Sequence, residues 1–514
     1  MSDHTAIEAP TAYGPVSGRV VNDVATFLGI PYAAPMTGEA RFAAPAPPEP
    51  WSEARPAHAF GATSPKPPFP GRLADLLTDP DIEGDDWLNL NVWTPDTTPD
   101  QPLPVFVWIH GGGFTNGSSA VPCYDGAAFA RDGVVCVSLN YRLGVYGFGY
   151  LPDAETPANR GLLDQISALR WVRDNIAGFG GDPERVTVAG ESAGAMSVLA
   201  LLSAGVDLFQ RAIVQSGTAH LGQTPEDAAL VLGAVAERLG VPASAKALAE
   251  VPVARLIEEQ NAVSGDVTKT ASAVKYGQST IDSCGMSFLP VVGEGQLLTQ
   301  RPIDAIREQA GANVPLLVGS TVEEMRLFVT SNFMVGWDLP ALFKPRLKAY
   351  GCPDGSYEKY DVDGPVYPRK AAPGVASAVL TDRMFRIPSS RVAEAREGGA
   401  APTHLYEFGW RSPVAANNVK VALGACHSLD LPFAWDTLRL PENLKFTGPN
   451  PPQAAADALH AAWVGFAKGE EPGWPAYDAL NRKVMSYAHD NTAEDKVVDK
   501  PREGERAWWD GHLN

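Results

Sequence analysis

Residues 186–202 read VTVAGESAGAMSVLALL, and three local signals meet in them. Residues 186–189 form a short apolar, β-rich run of the kind that makes a buried strand. Residues 195–202 are rich in Ala and Leu, which lose little side-chain freedom in a helix. Between them lies Gly190-Glu191-Ser192-Ala193-Gly194. A serine on a tight strand-to-helix turn is pushed clear of the sheet. Small residues at 190, 193 and 194 permit the close chain approach that this turn needs. The pentapeptide by itself is weak evidence. With 49 glycines in 514 residues and serine at about 6%, a chance match is expected roughly 0.3 times. The strand before it and the helix after it make Ser192 a candidate nucleophile.

Upstream, the β-rich run 105–109 leads into His110-Gly111-Gly112-Gly113-Phe114. Glycines let backbone N–H groups approach a substrate oxygen without side-chain obstruction. The amides of Gly112, Gly113 and Ala193 are the candidate donors to a developing oxyanion. A phosphate-cradling loop would end in Gly-Lys-Ser/Thr, and this one does not. Residues 88–93, 134–139, 212–215 and 314–318 have the same strand character, and 162–176 carry helical apolar spacing. Strands alternating with helices predict an α/β fold, with a large, mostly parallel sheet between helical layers. An antiparallel hairpin is expected at about 14–28. Residues 31–70, rich in Pro and Ala, read as an extended surface loop. With no flexible linker and no internal repeat, residues 1–514 read as one domain. Stretches at about 60–86, 218–310 and 329–400 are expected to be insertions that cover one end of the sheet.

A serine hydroxyl is a poor nucleophile without a base, and the base needs an orienting acid. Five histidines follow Ser192 and lie away from the termini: His220, His404, His427, His460 and His489. His427 sits in GACHSLDLPF, residues 424–433, a loop between apolar runs, where a catalytic group belongs. Glu323 and Glu324 end the predicted strand 314–318, at the carboxyl edge of the sheet. From the residues alone, other acids downstream of Ser192 compete with them.

Lys and Arg total 41 against 60 Asp and Glu, a formal net charge of −19. A polyanion has no counterions to release from phosphate, so nucleic acid and anionic membrane surfaces are disfavoured as partners. The sequence from Met1 to Thr5 carries no basic start or apolar stretch, and no apolar run approaches a membrane span. The five cysteines form no CxxC pair, so a zinc ribbon and a disulfide framework are both disfavoured and a cytoplasmic home is expected. Cys426, beside His427, raises the expectation that thiol reagents block the site sterically.

Further blocks recur at characteristic spacing. They are Phe27-Leu28-Gly29-Ile30-Pro31-Tyr32-Ala33, Arg41-Phe42 with Pro45 and Trp51, LNLNVWTP at 88–95, Asn140-Tyr141-Arg142-Leu143-Gly144, Gly161-Leu162-Leu163-Asp164-Gln165, and Phe179-Gly180-Gly181-Asp182-Pro183 running into the serine turn. With them the chain resembles the type-B carboxylesterases of the α/β-hydrolase fold, the family that also holds the cholinesterases, from about Gly14 to Trp508. The resemblance implies a serine carboxylic-ester hydrolase with a covalent acyl-enzyme and no metal or organic cofactor. It implies Ser192 as nucleophile, Glu324 as acid and His427 as base, with Glu323 as the fallback acid. Met325 stands where the family usually has Gly, and Asp430 replaces a usual Glu. Ser216 is implied to hydrogen-bond near the acid, and Glu191 to act on the histidine electrostatically. Phe114, Met286 and Phe288 are the expected substrate-pocket residues. A disulfide of secreted relatives falls at Ser64 and Trp87 and is therefore absent. The choline-binding Trp falls near Leu77, which disfavours choline esters because a cation–π partner is missing. The expected substrate is a small to medium, non-choline ester. Its hydrolysis should fall as pH drops through a histidine pKa of about 6.5 unless the site shifts it. The same residues would serve a carbamate or amide hydrolase. Some relatives are adhesion or scaffold proteins with a dead triad, but candidates for all three members are present here.

Overall fold

Side-chain alternation along the central strands decides which helices lie on which face. In the computed structural model, which describes residues 6–330, 339–361, 371–415 and 421–513, Val105, Val107 and Ile109 point to one side. There they pack with the helices Arg160–Asn175 and Ala193–Ser203. Phe106 and Trp108 point to the other side, against the helix Gln453–Lys468. Successive strand residues face opposite ways, so a run apolar at every position becomes a strand covered on both faces.

The strands are β1 (Ala6–Ala9), β2 (Val16–Val21), β3 (Val24–Pro31), β4 (Arg55–Pro56), β5 (Asn89–Thr94), β6 (Leu103–Ile109), β7 (Val135–Leu139), β8 (Gly181–Glu191) and β9 (Arg211–Gln215). They continue as β10 (Leu316–Thr321), β11 (Thr403–Phe408), β12 (Ser412–Ala415), β13 (Ala422–Gly424), β14 (Lys483–Tyr487) and β15 (Lys496–Asp499). The main sheet runs β1-β2-β3-β5-β7-β6-β8-β9-β10-β11-β14-β15, with β4 beside β2; β12 and β13 form a separate pair. Its centre is parallel from β7 through β14. Its margins are antiparallel, at β1-β2-β3-β5-β7 and at β14-β15. The sheet is thus mixed to a greater degree than the strand–helix alternation predicts: short connections join β1 to β2, β2 to β3 and β14 to β15 without a crossover helix, while β3, β5 and β7 pair antiparallel across longer connections. The short connection from β2 to β3 is Asn22-Asp23, where φ is 50° and 64°. Asn and Asp tolerate that left-handed backbone, which suits a two-residue hairpin.

Registers bring the site together. Ile109 of β6 lies opposite Gly190 of β8, and Glu191 lies opposite Gln215 of β9. Gln215 in turn lies opposite Gly319 of β10. The segments that follow β6, β8, β9 and β10 therefore leave the sheet side by side. Beneath them Arg142 and Asp164 form a fully buried ion pair at 2.6 Å, with further guanidinium bonds to the Arg41 and Ala43 carbonyls. Such a pair is tolerated in the interior because its hydrogen bonds are satisfied. The helices Pro225–Leu239, capped by the Thr224 hydroxyl, and Val253–Thr270 pack on each other. Residues 331–338 and 362–370 of the expected 329–400 insertion lie outside the described residues.

Candidate active site

Ser192 has φ 56° and ψ −122°, a conformation an L-residue adopts only when its surroundings impose it. They do so through two close approaches. A Cβ on Gly194 would lie 2.0 Å from the Ile109 carbonyl oxygen, and one on Gly190 would lie 2.5 Å from the Gly194 carbonyl carbon. The Ser192 amide donates to the Gln215 carbonyl at 2.9 Å, tying the turn to β9. The helix Ala193–Ser203 starts at once, so the Ala193 amide is among the first-turn donors that lack an intrahelical partner.

Across from it, Gly112 and Gly113 have φ 115° and 62°. A Cβ on Gly112 would meet the Asn116 carbonyl oxygen at 2.1 Å, and the amides of Thr115 and Asn116 both donate to the Gly112 carbonyl. Among the described residues, the Gly112 and Gly113 amides donate to no backbone carbonyl.

The acid and histidine loops are held by two backbone bonds. Glu323 N–H donates to Ala425 C=O at 2.9 Å, and His427 N–H donates to Glu324 C=O at 3.0 Å. Glu324 Oε2 then lies 2.5 Å from His427 Nδ1. Its other oxygen accepts from Ser216 Oγ at 2.6 Å and from the Thr321 amide at 2.7 Å. The adjacent Glu323 turns away. It accepts from the Ala425 amide at 2.9 Å and faces Arg411 Nε at 3.4 Å. Of the two acids, Glu324 is the one that meets the histidine.

Glu191 occupies the opposite side of the imidazole. Its Oε1 accepts from Ser428 Oγ at 2.7 Å and lies 3.1 Å from His427 Nε2. Burial disfavours a charged imidazole, but the Glu191 and Glu324 carboxylates outweigh it and raise His427 to about 9. Burial likewise raises Glu191 to about 7, with His427 and Ser428 pulling it back. The two groups shift each other: the carboxylate favours the charged imidazole, and the imidazolium favours the charged carboxylate. Nε2 thus faces a carboxylate, while Ser192, 9% exposed, opens on the same cavity as His427. Catalytic hydrogen bonds are often loose in unliganded enzymes and tighten on substrate. Asp430, raised by burial to about 6, accepts from the Gln215 side chain.

The cavity measures about 370 Å³. Its floor carries Ser192, Gly112, Gly113 and His427, and its walls are mainly apolar. Met286 lines it, 4.0 Å from where a Cβ on Gly113 would stand. The other two expected pocket residues lie elsewhere. Phe114 is fully buried against Phe148, with ring centroids 4.6 Å apart. Phe288 is buried in the core beside the insertion helices. Burying each ring entirely among apolar neighbours removes more surface from water than a half-open cavity wall allows. Of the departures from the family pattern, Leu77 and Met325 line the cavity. Cys426 is fully buried and burial pushes its thiol well up. This corrects the expectation of blockage by thiol reagents, because a buried protonated thiol is inert. All five cysteines are free, and Ser64 and Trp87 make separate polar contacts.

Sequence reasoning missed Phe385 and Phe328, whose rings lie 4.9 and 5.3 Å from the His427 ring. Phe385 belongs to a π-helical turn, Asp382–Arg386, for which the sequence offers no periodic signal; π-turns within helices recur at functional sites. Ser428, next to His427, was also unforeseen as a partner of Glu191. Among the described residues no group of three or more His, Cys, Asp or Glu is arranged to hold a metal, and no helix is long and apolar enough to cross a membrane.

A large twisted sheet covered by helices, with a strained serine at the end of its longest strand, defines an α/β-hydrolase. Residues 5–336 match the model of the Carboxylesterase family, and the chain belongs to that family. It is 35% identical to the para-nitrobenzyl esterase of Bacillus subtilis (strain 168) over 96% of this chain and 97% of that protein. It is 31% identical to liver carboxylesterase 1 of Oryctolagus cuniculus, over 97% and 92% of the two chains. Among solved structures it is similar to carboxylesterase EST55 of Geobacillus stearothermophilus, with a TM-score of 0.82, 32% identity, and coverage of 98% and 99%. The chain is a carboxylesterase, an enzyme that hydrolyses carboxylic esters.

Proposed function

We propose that Ser192, His427 and Glu324 form the catalytic triad of this esterase. Ser192 Oγ attacks the ester carbonyl while His427 Nε2 takes its proton and then delivers it to the leaving alkoxide. Glu324 holds the Nδ1–H tautomer and stabilises the imidazolium. The amides of Gly112, Gly113 and Ala193 receive the oxyanion, each worth about 3–4 kcal/mol of barrier. Water then attacks the acyl-enzyme by the same steps in reverse. The observation that carries this reading is the 2.5 Å contact between His427 Nδ1 and Glu324, made on a cavity that Ser192 also lines.

Esters of small to medium apolar acids and alcohols suit the cavity, whose size lies near the lower end for ligand sites. Leu77 on its wall supports a non-choline preference. Five free thiols support a cytoplasmic working compartment. Hydrolysis of p-nitrophenyl esters from acetate to octanoate tests the reading. Turnover should peak within that series and vanish in Ser192→Ala. Turnover that survives the substitution would remove Ser192 from the mechanism.

A further inference from the structure

The expected 60–86 insertion does more than wall the cavity. Lys66 Nζ lies 3.2 Å from Asp79 Oδ1, with side chains only 2% and 7% exposed. Lys66 Nζ also donates to the Pro80 carbonyl at 2.6 Å. The other oxygen of Asp79 accepts from the Gly117 amide at 3.0 Å. A second tie runs beside it, from Asn116 Nδ2 to the Pro67 carbonyl at 2.6 Å. Both ties end on the turn that begins at Gly112. Gly117 is packed directly under that turn: a Cβ there would lie 2.2 Å from the Gly111 carbonyl oxygen. Asp79 thus connects to the Gly112 carbonyl through Gly117 and the Thr115 and Asn116 amides of one short turn.

We infer that the buried Lys66–Asp79 pair is a positioning device for the oxyanion donors, clamping the turn 112–117 through the Gly117 amide. The inference rests on the assignment of Gly112 and Gly113 proposed above. The physical argument has two parts. Taking an ammonium and a carboxylate out of water is costly unless geometry compensates, so a buried pair with few extra bonds contributes little net stability. Its geometry, by contrast, is well suited to fixing a loop. Oxyanion donors act only when held where the charge develops, and a displacement of about 1 Å can cost about 100-fold in rate. Neither Lys66 nor Asp79 needs to touch the reacting atoms.

The test uses full-length enzyme and p-nitrophenyl acetate, whose small acyl group limits contact with the cavity wall that Asp79 also lines, with rates normalised to sites titrated by an organophosphonate. Asp79→Ala is expected to lower kcat per titrated site by about 10- to 100-fold, within the range for losing an oxyanion donor, with KM changed by less than about twofold. A trifluoromethyl ketone, which forms a tetrahedral adduct, should lose affinity in parallel, while the corresponding alcohol should not. The double variant Lys66→Met with Asp79→Asn removes both charges but keeps an acceptor for the Gly117 amide. It is expected to recover kcat to within about threefold of wild type, far short of a full donor loss. A purely structural role would lower Tm and the titratable fraction and leave kcat per site unchanged. That outcome overturns the inference. If Asp79→Ala does not fold, Asp79→Asn with Lys66 intact decides. It should lose about tenfold in kcat, against the larger cost of a whole donor, and regain it on adding Lys66→Met; wild-type kcat would overturn the inference. Ser192→Ala run in parallel separates the two claims. Activity surviving in it sinks the triad, whereas a dead Ser192→Ala beside an unimpaired Asp79→Ala sinks the clamp alone.

Discussion

The serine turn and the paired acid and histidine loops open on one cavity, yet they are held by different means. Ser192 is placed by neighbours in sequence, chiefly Gly190, Gly194 and the end of β8, with one bond to β9. His427 is placed by residues about a hundred positions away, through Glu323, Glu324 and the backbone bonds they share with residues 425–427. A local turn is robust because its geometry follows from sterics alone. A histidine set by two meeting loops depends on several partners, each of which can be weakened separately.

The sharpest break with this picture comes from the local side. Ser192→Ala should cut kcat by about 10⁴- to 10⁶-fold, the range for removing a nucleophile from a triad, with circular dichroism unchanged. On the long-range side, Glu324→Gln should cost about 10³- to 10⁴-fold, since it leaves the imidazole in the wrong tautomer. Glu323→Gln keeps an acceptor for the Ala425 amide and loses its charge toward Arg411 and Arg326, so a drop of about 3- to 10-fold is expected for weakened charged contacts. Equal damage from the two glutamates would erase their distinction.

The next effect is on pH. With His427 raised to about 9, the free base grows as pH rises through the alkaline range, so the acidic limb of kcat/KM should lie above the ordinary histidine value. Glu191→Gln removes the carboxylate that favours the imidazolium. The limb should then move toward acid. A limb that stays where it is in this variant would show that Glu191 does not set the proton. The smallest change expected is in specificity. Leu77→Trp would supply a cation–π partner on the cavity wall, improving kcat/KM for a choline ester by about 2- to 30-fold. No gain would mean the wall does not contact the alcohol part.

The same contrast explains what was legible beforehand. The strands 105–109, 186–189 and 212–215 and the helix after Ser192 could be read from runs and turn residues, because their burial is nearly uniform and their turns are short. The hairpin expected at about 14–28 is the antiparallel pair β2–β3, but the other antiparallel pairings and the C-terminal strands β11, β14 and β15 give little periodic signal, being short strands among helices. Phe114 and Phe288 were misplaced as pocket residues because an aromatic beside a motif does not reveal which way its ring turns.

The sequence by itself determined the α/β class, the serine turn, the glycine loop and, through the family resemblance, which serine, acid and histidine to bring forward. Those features are written in residue type at fixed spacing, where sterics leave little choice. Only the tertiary structure decided that Glu323 turns away to Ala425 and Arg411, that Phe385 flanks the imidazole and Ser428 binds Glu191, and that Lys66 and Asp79 meet the turn after Gly112. Each depends on side-chain direction across loops far apart in the chain. Packing and burial set that direction, and no local pattern encodes it.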